Sequence, residues 1–197
     1  VALDIHNLAA FENAFRSCRA ENLTAAEIVA DAMIGTLGDE PVTIVSPDAG
    51  GQKRAELFRV VLEKKSGRPV GNALLEKHRS GDVVTGSLFA GDVQGRTTII
   101  IDDMISSGGT IMRAVKTCRK NGAARVFAAA THGLFSNGAH QLFQQDGPDR
   151  TFVTDSVTIP AAVNSERLQI ISAAPLLADA IARLSNGAPF YDLVPYN

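Results

Sequence analysis

Along this chain, short runs of β-branched and other apolar residues alternate with segments whose apolar positions recur every three to four residues. That alternation predicts parallel strands joined by helices that cover both faces of a sheet. A capping box is spelled at Thr24-Ala25-Ala26-Glu27. Thr24 is expected to cap the Glu27 amide, Leu23 to staple onto Ile28, and the helix to run to about Ile34. Val42–Val45 predicts a buried strand that breaks at Ser46-Pro47-Asp48-Ala49-Gly50-Gly51 before a helix through Phe58 and Val61. Another strand is predicted at Val70–Leu75, followed by a polar stretch, Glu76–Gly86, suited to a mobile loop or a hairpin. The clearest strand, Thr97–Ile101, is expected to end at Asp102-Asp103. The chain then crosses Ser106-Ser107-Gly108-Gly109-Thr110 into a helix with Ile111, Ala114, Val115 and Cys118 on one face, closed by Gly122. Val126–Ala130 predicts a further strand, Thr131-His132-Gly133 a turn, Leu168–Ser172 a late strand and Leu176–Leu184 a helix. Gln144–Asp149 is expected to be a surface loop.

The fold class is therefore α/β, a mostly parallel twisted sheet with helices on both faces, and 197 residues suffice for one domain. Composition adds exclusions rather than chemistry. A hydrophobic content of 45%, a charged content of 20% and a net charge of -2 describe a globular chain without the basic footprint of a nucleic-acid binder. No apolar run reaches the roughly 20 residues needed to cross a bilayer, and Asp4, His6 and Asn7 interrupt the start of the chain. A cytoplasmic protein is expected. The two cysteines, Cys18 and Cys118, lack the paired spacing of a zinc site and read as packing residues.

Ligands of open α/β sheets bind at the carboxyl ends of strands, where loops lead into helix N-termini. Asp102–Thr110 has the chemistry for such a site. Gly108-Gly109 can offer unobstructed amides to a phosphate, and Ser106, Ser107 and Thr110 add hydroxyls. Asp102 and Asp103 can accept hydrogen bonds from sugar hydroxyls or act through a cation. The combination points to a phosphorylated sugar, with a solvated helix entry as the alternative reading.

The segment TTIIIDDMISSGGTI resembles the phosphoribosyl-pyrophosphate signature of type I phosphoribosyltransferases and, more closely, that of ribose-phosphate diphosphokinases. SPDAGGQKRA at Ser46–Ala55 is similar to the diphosphokinase loop SPD-x-GG, and LDIH at Leu3–His6 to its DLH element. EKHR at Glu76–Arg79 resembles its KRR-type loop, ATHGLFS at Ala130–Ser136 the strand and turn that follow, and TDSVTIP at Thr154–Pro160 its TDTIP. The resemblance implies a phosphoribosyltransferase-like fold and Mg²⁺-dependent transfer of a diphosphoryl group from ATP to ribose 5-phosphate. It implies that Arg79, Asp102, Asp103, Ser106, Ser107, Gly108, Gly109 and Thr110 bind the sugar phosphate. Lys77 and Arg79 take the catalytic positions, and His6 and Asp48 those of the metal ligands.

On their residue chemistry alone, Lys77 and Arg79 read as a solvated surface pair and His6 as structural; only the resemblance assigns them roles. His132 receives none. Two departures stand out: Ser106 occupies a position where the common signature has Asp, and His78 replaces the middle Arg of the loop. Family members also carry an additional amino-terminal half with nucleotide contacts. The 197 residues are therefore expected to be a single domain forming the carboxy-terminal portion of a longer, homo-oligomeric two-domain enzyme. A phosphoribosyltransferase and a non-catalytic regulatory homologue are the competing readings.

Overall fold

The computed structural model describes residues 1–80, 83–163 and 165–194, and for 76–80 and 83–88 the backbone alone. Seven strands form the main sheet: β3 (Val42–Ser46), β4 (Val70–Ser80), β5 (Val83–Ala90), β6 (Thr97–Ile105), β7 (Arg125–Gly133), β8 (Arg150–Thr154) and β9 (Leu168–Ile171). Their order is β5-β4-β3-β6-β7-β8-β9, and every pairing is parallel except the β4–β5 hairpin at one edge. Two short strands, β1 (Ala2–Leu3) and β2 (Asn22–Leu23), pair with each other in parallel outside this sheet.

The strand residues divide by parity, because successive side chains leave a strand on opposite faces. Ile44, Ile99, Ile101, Phe127, Ala129 and Phe152 pack under α2 (Ala26–Ile34) and α3 (Gln52–Ser66). Val45, Ile100, Val126, Ala128 and Ala130 pack under α4 (Gly109–Lys120), which contributes Ile111, Ala114, Val115 and Cys118. Burial on both faces explains why these strands read as continuous apolar runs. A third, smaller cluster joins Leu23 to Leu176 and Ala180 of α5 (Ala174–Asn186). Among the described residues no helix is long and apolar enough to cross a membrane.

Several local expectations need correction. Thr24 Oγ1 accepts from the Ala26 amide at 3.2 Å rather than from Glu27, whose carboxylate pairs with Lys65 at 3.1 Å. Leu23 and Ile28 do pack in the same cluster. β6 continues past Asp102-Asp103 to Ile105, and β7 runs through Thr131-His132-Gly133 instead of turning there. The two extensions pair with each other, Met104 with His132 and Ile105 with Gly133, so each supplies the other's ladder. Of the two forms expected for the polar stretch from Glu76, the backbone adopts the hairpin, with a register shift between His78 and Arg79. Cys118 is buried, whereas Cys18 is exposed and fills no core position. The sequence reading also missed α1 (Leu8–Ala14), β2 and β8.

Candidate functional site

The chain leaves β3 through α3 to reach β4 on one side, and leaves β6 through α4 to reach β7 on the other. The carboxyl ends of β3 and β6 therefore flank a topological switch point, the place where open α/β sheets form a binding crevice. A cleft of about 570 Å³ lies there, lined by His6, Asp48, Gly50, Gly51, Arg54 and the run from Asp102 to Ile111.

Its floor is an amide-rich turn. Gly108 adopts left-handed backbone (φ +79°) directly before α4, and its carbonyl accepts the Met112 amide at 2.9 Å. The amides from Ser107 to Ile111 have no acceptor among the described residues, as expected for a helix start, and such a start can bind an anion. The loop after β7 braces this turn: the Phe135 amide donates to Ile105 O at 3.0 Å and the Ser136 amide to Ser106 O at 3.1 Å. The Ser106 and Ser136 hydroxyls lie 3.0 Å apart, so Ser106 has a hydroxyl partner. Arg113 reaches back to Thr110 Oγ1 at 3.0 Å.

Opposite the amides sit the two carboxylates. His6 Nδ1 meets Asp103 Oδ2 at 2.6 Å. Arg54 spans the pair, 3.4 Å from Asp102 Oδ1 and 3.6 Å from Asp103 Oδ2. Burial, together with the adjoining Asp103 carboxylate, pushes Asp102 up to about 7, and the Arg54 charge opposes that rise. Burial also works against charge on Asp103. The hydrogen bond to Asp102, the Arg54 guanidinium and His6 outweigh it and hold Asp103 below the usual carboxylate range. The two adjoining carboxyl groups are thus pushed in opposite directions, Asp102 up and Asp103 down.

Asp48 caps the short 3₁₀ turn Ala49–Gly51, accepting the Gly51 amide at 3.1 Å through Oδ1, and Ser46 Oγ holds the Asp48 carbonyl at 2.6 Å. His132 is tied down by Ser156 Oγ (2.8 Å) and Leu3 O (3.1 Å), which leaves neither ring nitrogen for chemistry. Of the residues singled out in the sequence, His6, Asp48, Asp102, Asp103, Ser106, Ser107, Gly108, Gly109 and Thr110 meet in this cleft. The side chains of Lys77, His78 and Arg79 lie outside the described residues; their backbone belongs to β4. Sequence reading missed Arg54 and Ser136. Arg54 stands inside the quoted Ser46–Ala55 segment, and one cation among the five Lys and Arg of α3 carries no mark of its own. Among the described residues no group of three or more His, Cys, Asp and Glu side chains converges as a metal site.

Comparison with known proteins agrees with this geometry. The family model described as phosphoribosyl synthetase-associated domain matches residues 84–194, more than half of the chain. Ribose-phosphate pyrophosphokinase of Prochlorococcus marinus (strain MIT 9313) is 41% identical over 145 residues, covering 73% of this chain and 42% of that protein. The enzyme of the same name from Parasynechococcus marenigrum (strain WH8102) is 35% identical over 186 residues, covering 93% of this chain and 54% of the relative. The crystal structure of phosphoribosylpyrophosphate synthetase from Mycobacterium smegmatis superposes with a TM-score of 0.80 at 32% identity, over 94% of this chain and 58% of that one. The chain spans about half the length of the curated relatives it matches. With the fold, the switch-point cleft and these matches in agreement, the chain belongs to the ribose-phosphate pyrophosphokinase family.

Proposed function

We propose that the intact protein transfers a diphosphoryl group from ATP to the anomeric hydroxyl of ribose 5-phosphate, giving phosphoribosyl pyrophosphate and AMP for nucleotide biosynthesis. The observation that carries this reading is the run of free amides from Ser107 to Ile111 facing the Asp102–Asp103 pair across one cleft. The amides suit the 5-phosphate, with the Ser106, Ser107 and Thr110 hydroxyls as further donors. Asp102 and Asp103 suit the ribose hydroxyls, and Arg54 keeps the two carboxyl groups from repelling each other and the phosphate.

The residues present fit Mg²⁺. His6 gives Nδ1 to a carboxylate, which orients the ring and leaves Nε2 as a donor, the arrangement usual for a metal-binding histidine. Asp48 spends one oxygen on the Gly51 amide and retains the other. Two protein donors are enough for an ion that keeps several waters and completes its shell with substrate phosphates. When bound, Mg²⁺ supplies neutralisation of phosphate-oxygen charge. His6 and Asp48 would hold it. Lys77 and Arg79 on β4 would offset charge on the transferring diphosphoryl group, a role resting on their match to the family positions. The same reading includes self-association, a cytoplasmic setting, and a single-domain chain that serves as the sugar-phosphate half of a longer enzyme; the roughly doubled length of its relatives supports the last point.

The test is AMP formation from MgATP by the intact protein, with and without ribose 5-phosphate. Sugar-dependent AMP is expected. Ligand binding without turnover under any metal condition would instead identify a regulatory homologue, and pyrophosphate release from phosphoribosyl pyrophosphate that requires a base but no ATP would identify a phosphoribosyltransferase.

A further inference from the structure

His6 reaches the cleft on a strap that leaves β1 and crosses the ends of β7 and β6. Its side chain is 72% exposed, so packing does not hold the imidazole in place. Asp103 receives one ring nitrogen, but the backbone that delivers the ring to Asp103 must be fixed elsewhere. The residue two positions upstream carries the required contacts. Asp4 Oδ2 accepts both the Ala25 amide at the start of α2 (2.8 Å) and the Thr131 hydroxyl of β7 (2.6 Å). The Asp4 amide donates to Leu23 O at 2.9 Å, and the Ile5 amide to Asn22 Oδ1 at 2.9 Å. Asp4 is also one of only two non-glycine residues with positive φ (+40°) among the described residues. A side chain in that region is uncommon, and it persists where surrounding contacts over-determine the conformation.

We propose that Asp4 is a positioning residue for His6: its carboxylate pins the left-handed turn that aims the imidazole at Asp103 and leaves Nε2 to face the cleft. The proposal rests on the metal-ligand reading of His6 given above. A bare helix-capping role for Asp4 would affect stability alone. A positioning role also sets the tautomer and orientation of a side chain that Asp4 does not touch.

Asp4→Ala, Asp4→Asn and Thr131→Val separate the two roles in the intact protein. The first readout is the ¹⁵N spectrum of histidine-labelled protein, which reports the His6 tautomer without any substrate. The parent should show a single Nδ1–H form for His6, Asp4→Ala a mixture, and Asp4→Asn, whose amide oxygen can accept both bonds, a parent-like signal. The second readout is the Mg²⁺ concentration giving half-maximal AMP formation. It should rise on the order of tenfold in Asp4→Ala, the low end of the loss seen when the bond that orients a ligand histidine, here His6 to Asp103, is no longer held. KM for ribose 5-phosphate should stay near the parent value, and Asp4→Asn should restore the Mg²⁺ dependence. Thr131→Val removes one of the two bonds with little change of shape and should move both readouts part of the way, which keeps the test open if Asp4→Ala does not fold. Parent-like His6 signals and Mg²⁺ dependence in folded Asp4→Ala or Thr131→Val would overturn the proposal. A parent that forms no AMP would overturn the functional reading instead, while the His6 spectra still decide the role of Asp4.

Discussion

Gly108 meets two constraints at once: its φ of +79° belongs to glycine, and a Cβ built there would lie 2.8 Å from Leu142 Cδ1 and Cγ. Gly108→Ala should cost about 1–2 kcal/mol from the backbone alone, and more from the displaced Leu142. Urea unfolding should show the loss, and KM for ribose 5-phosphate should rise because the amide cradle shifts. Asp102 yields a prediction in pH. Its folded value of about 7 lies above the ordinary 3.8, so the fold favours the protonated form. That contribution is present in full below the ordinary value and is lost as pH rises through about 7. Asp102→Asn, which stays neutral, should therefore melt above the parent at pH 8 in the absence of metal, with the gap narrowing by pH 5. A gap that is the same at both pH values would mean that Asp102 is ionised throughout. The Ser106–Thr110 turn was legible as part of the cleft because glycines and hydroxyls next to a helix start carry their own chemistry. Arg54 and Ser136 were not, because their roles depend on partners 48 and 30 residues away in sequence.

At the scale of elements, α4 shows how a terminating glycine differs from a functional one. Gly122 follows the helix in left-handed backbone (φ +84°), but the nearest atom to a built Cβ is Gln94 Cγ at 3.3 Å, on a flexible side chain. Gly122→Ala should cost about 1 kcal/mol through conformation, seen as a lower denaturation midpoint with unchanged KM values, unlike Gly108→Ala. The parallel strands β3, β6 and β7 were readable because burial on both faces demands largely unbroken apolar runs. Of the elements that escaped notice, α1 and β2 are small or exposed, while β8 is buried on both faces but carries only Phe152 and Val153 as apolar residues between two threonines. α1 buries no residue and is held by Asn7, which accepts the Ala10 amide at 3.0 Å; β2 is two residues long; β8 begins at an exposed Arg150. β6 was read as ending too early and the end of β7 as a turn because Asp103, Thr131 and His132 there are polar, their side chains being spent on the strap.

For the whole molecule, the sheet divides two cores, and Phe152 of β8 is the largest fully buried side chain among the described residues, tilted against Phe127 with ring centroids 6.0 Å apart. It packs in the cluster under α2 and α3, on the face away from the α4 core. Phe152→Ala should destabilise the protein by about 3–5 kcal/mol, measured by urea unfolding. KM for ribose 5-phosphate in the surviving folded fraction should stay unchanged, since the phosphate turn is supported from the α4 side.

The strap that carries His6 also sets when the site can exist. Its three side-chain ties to the main sheet close loops of 97, 127 and 129 residues, joining His6 to Asp103, Asp4 to Thr131 and Leu3 to His132. Such contacts form only after the intervening chain has collapsed, because loop-closure entropy must be met before long-range contacts return anything. The Ser106–Thr110 turn joins β6 directly to α4, and its braces from Phe135 and Ser136 span only about 30 residues, so it can form earlier. Refolding monitored at His6 should therefore lag behind refolding monitored at α4, so that the helix start would be in place before the imidazole arrives.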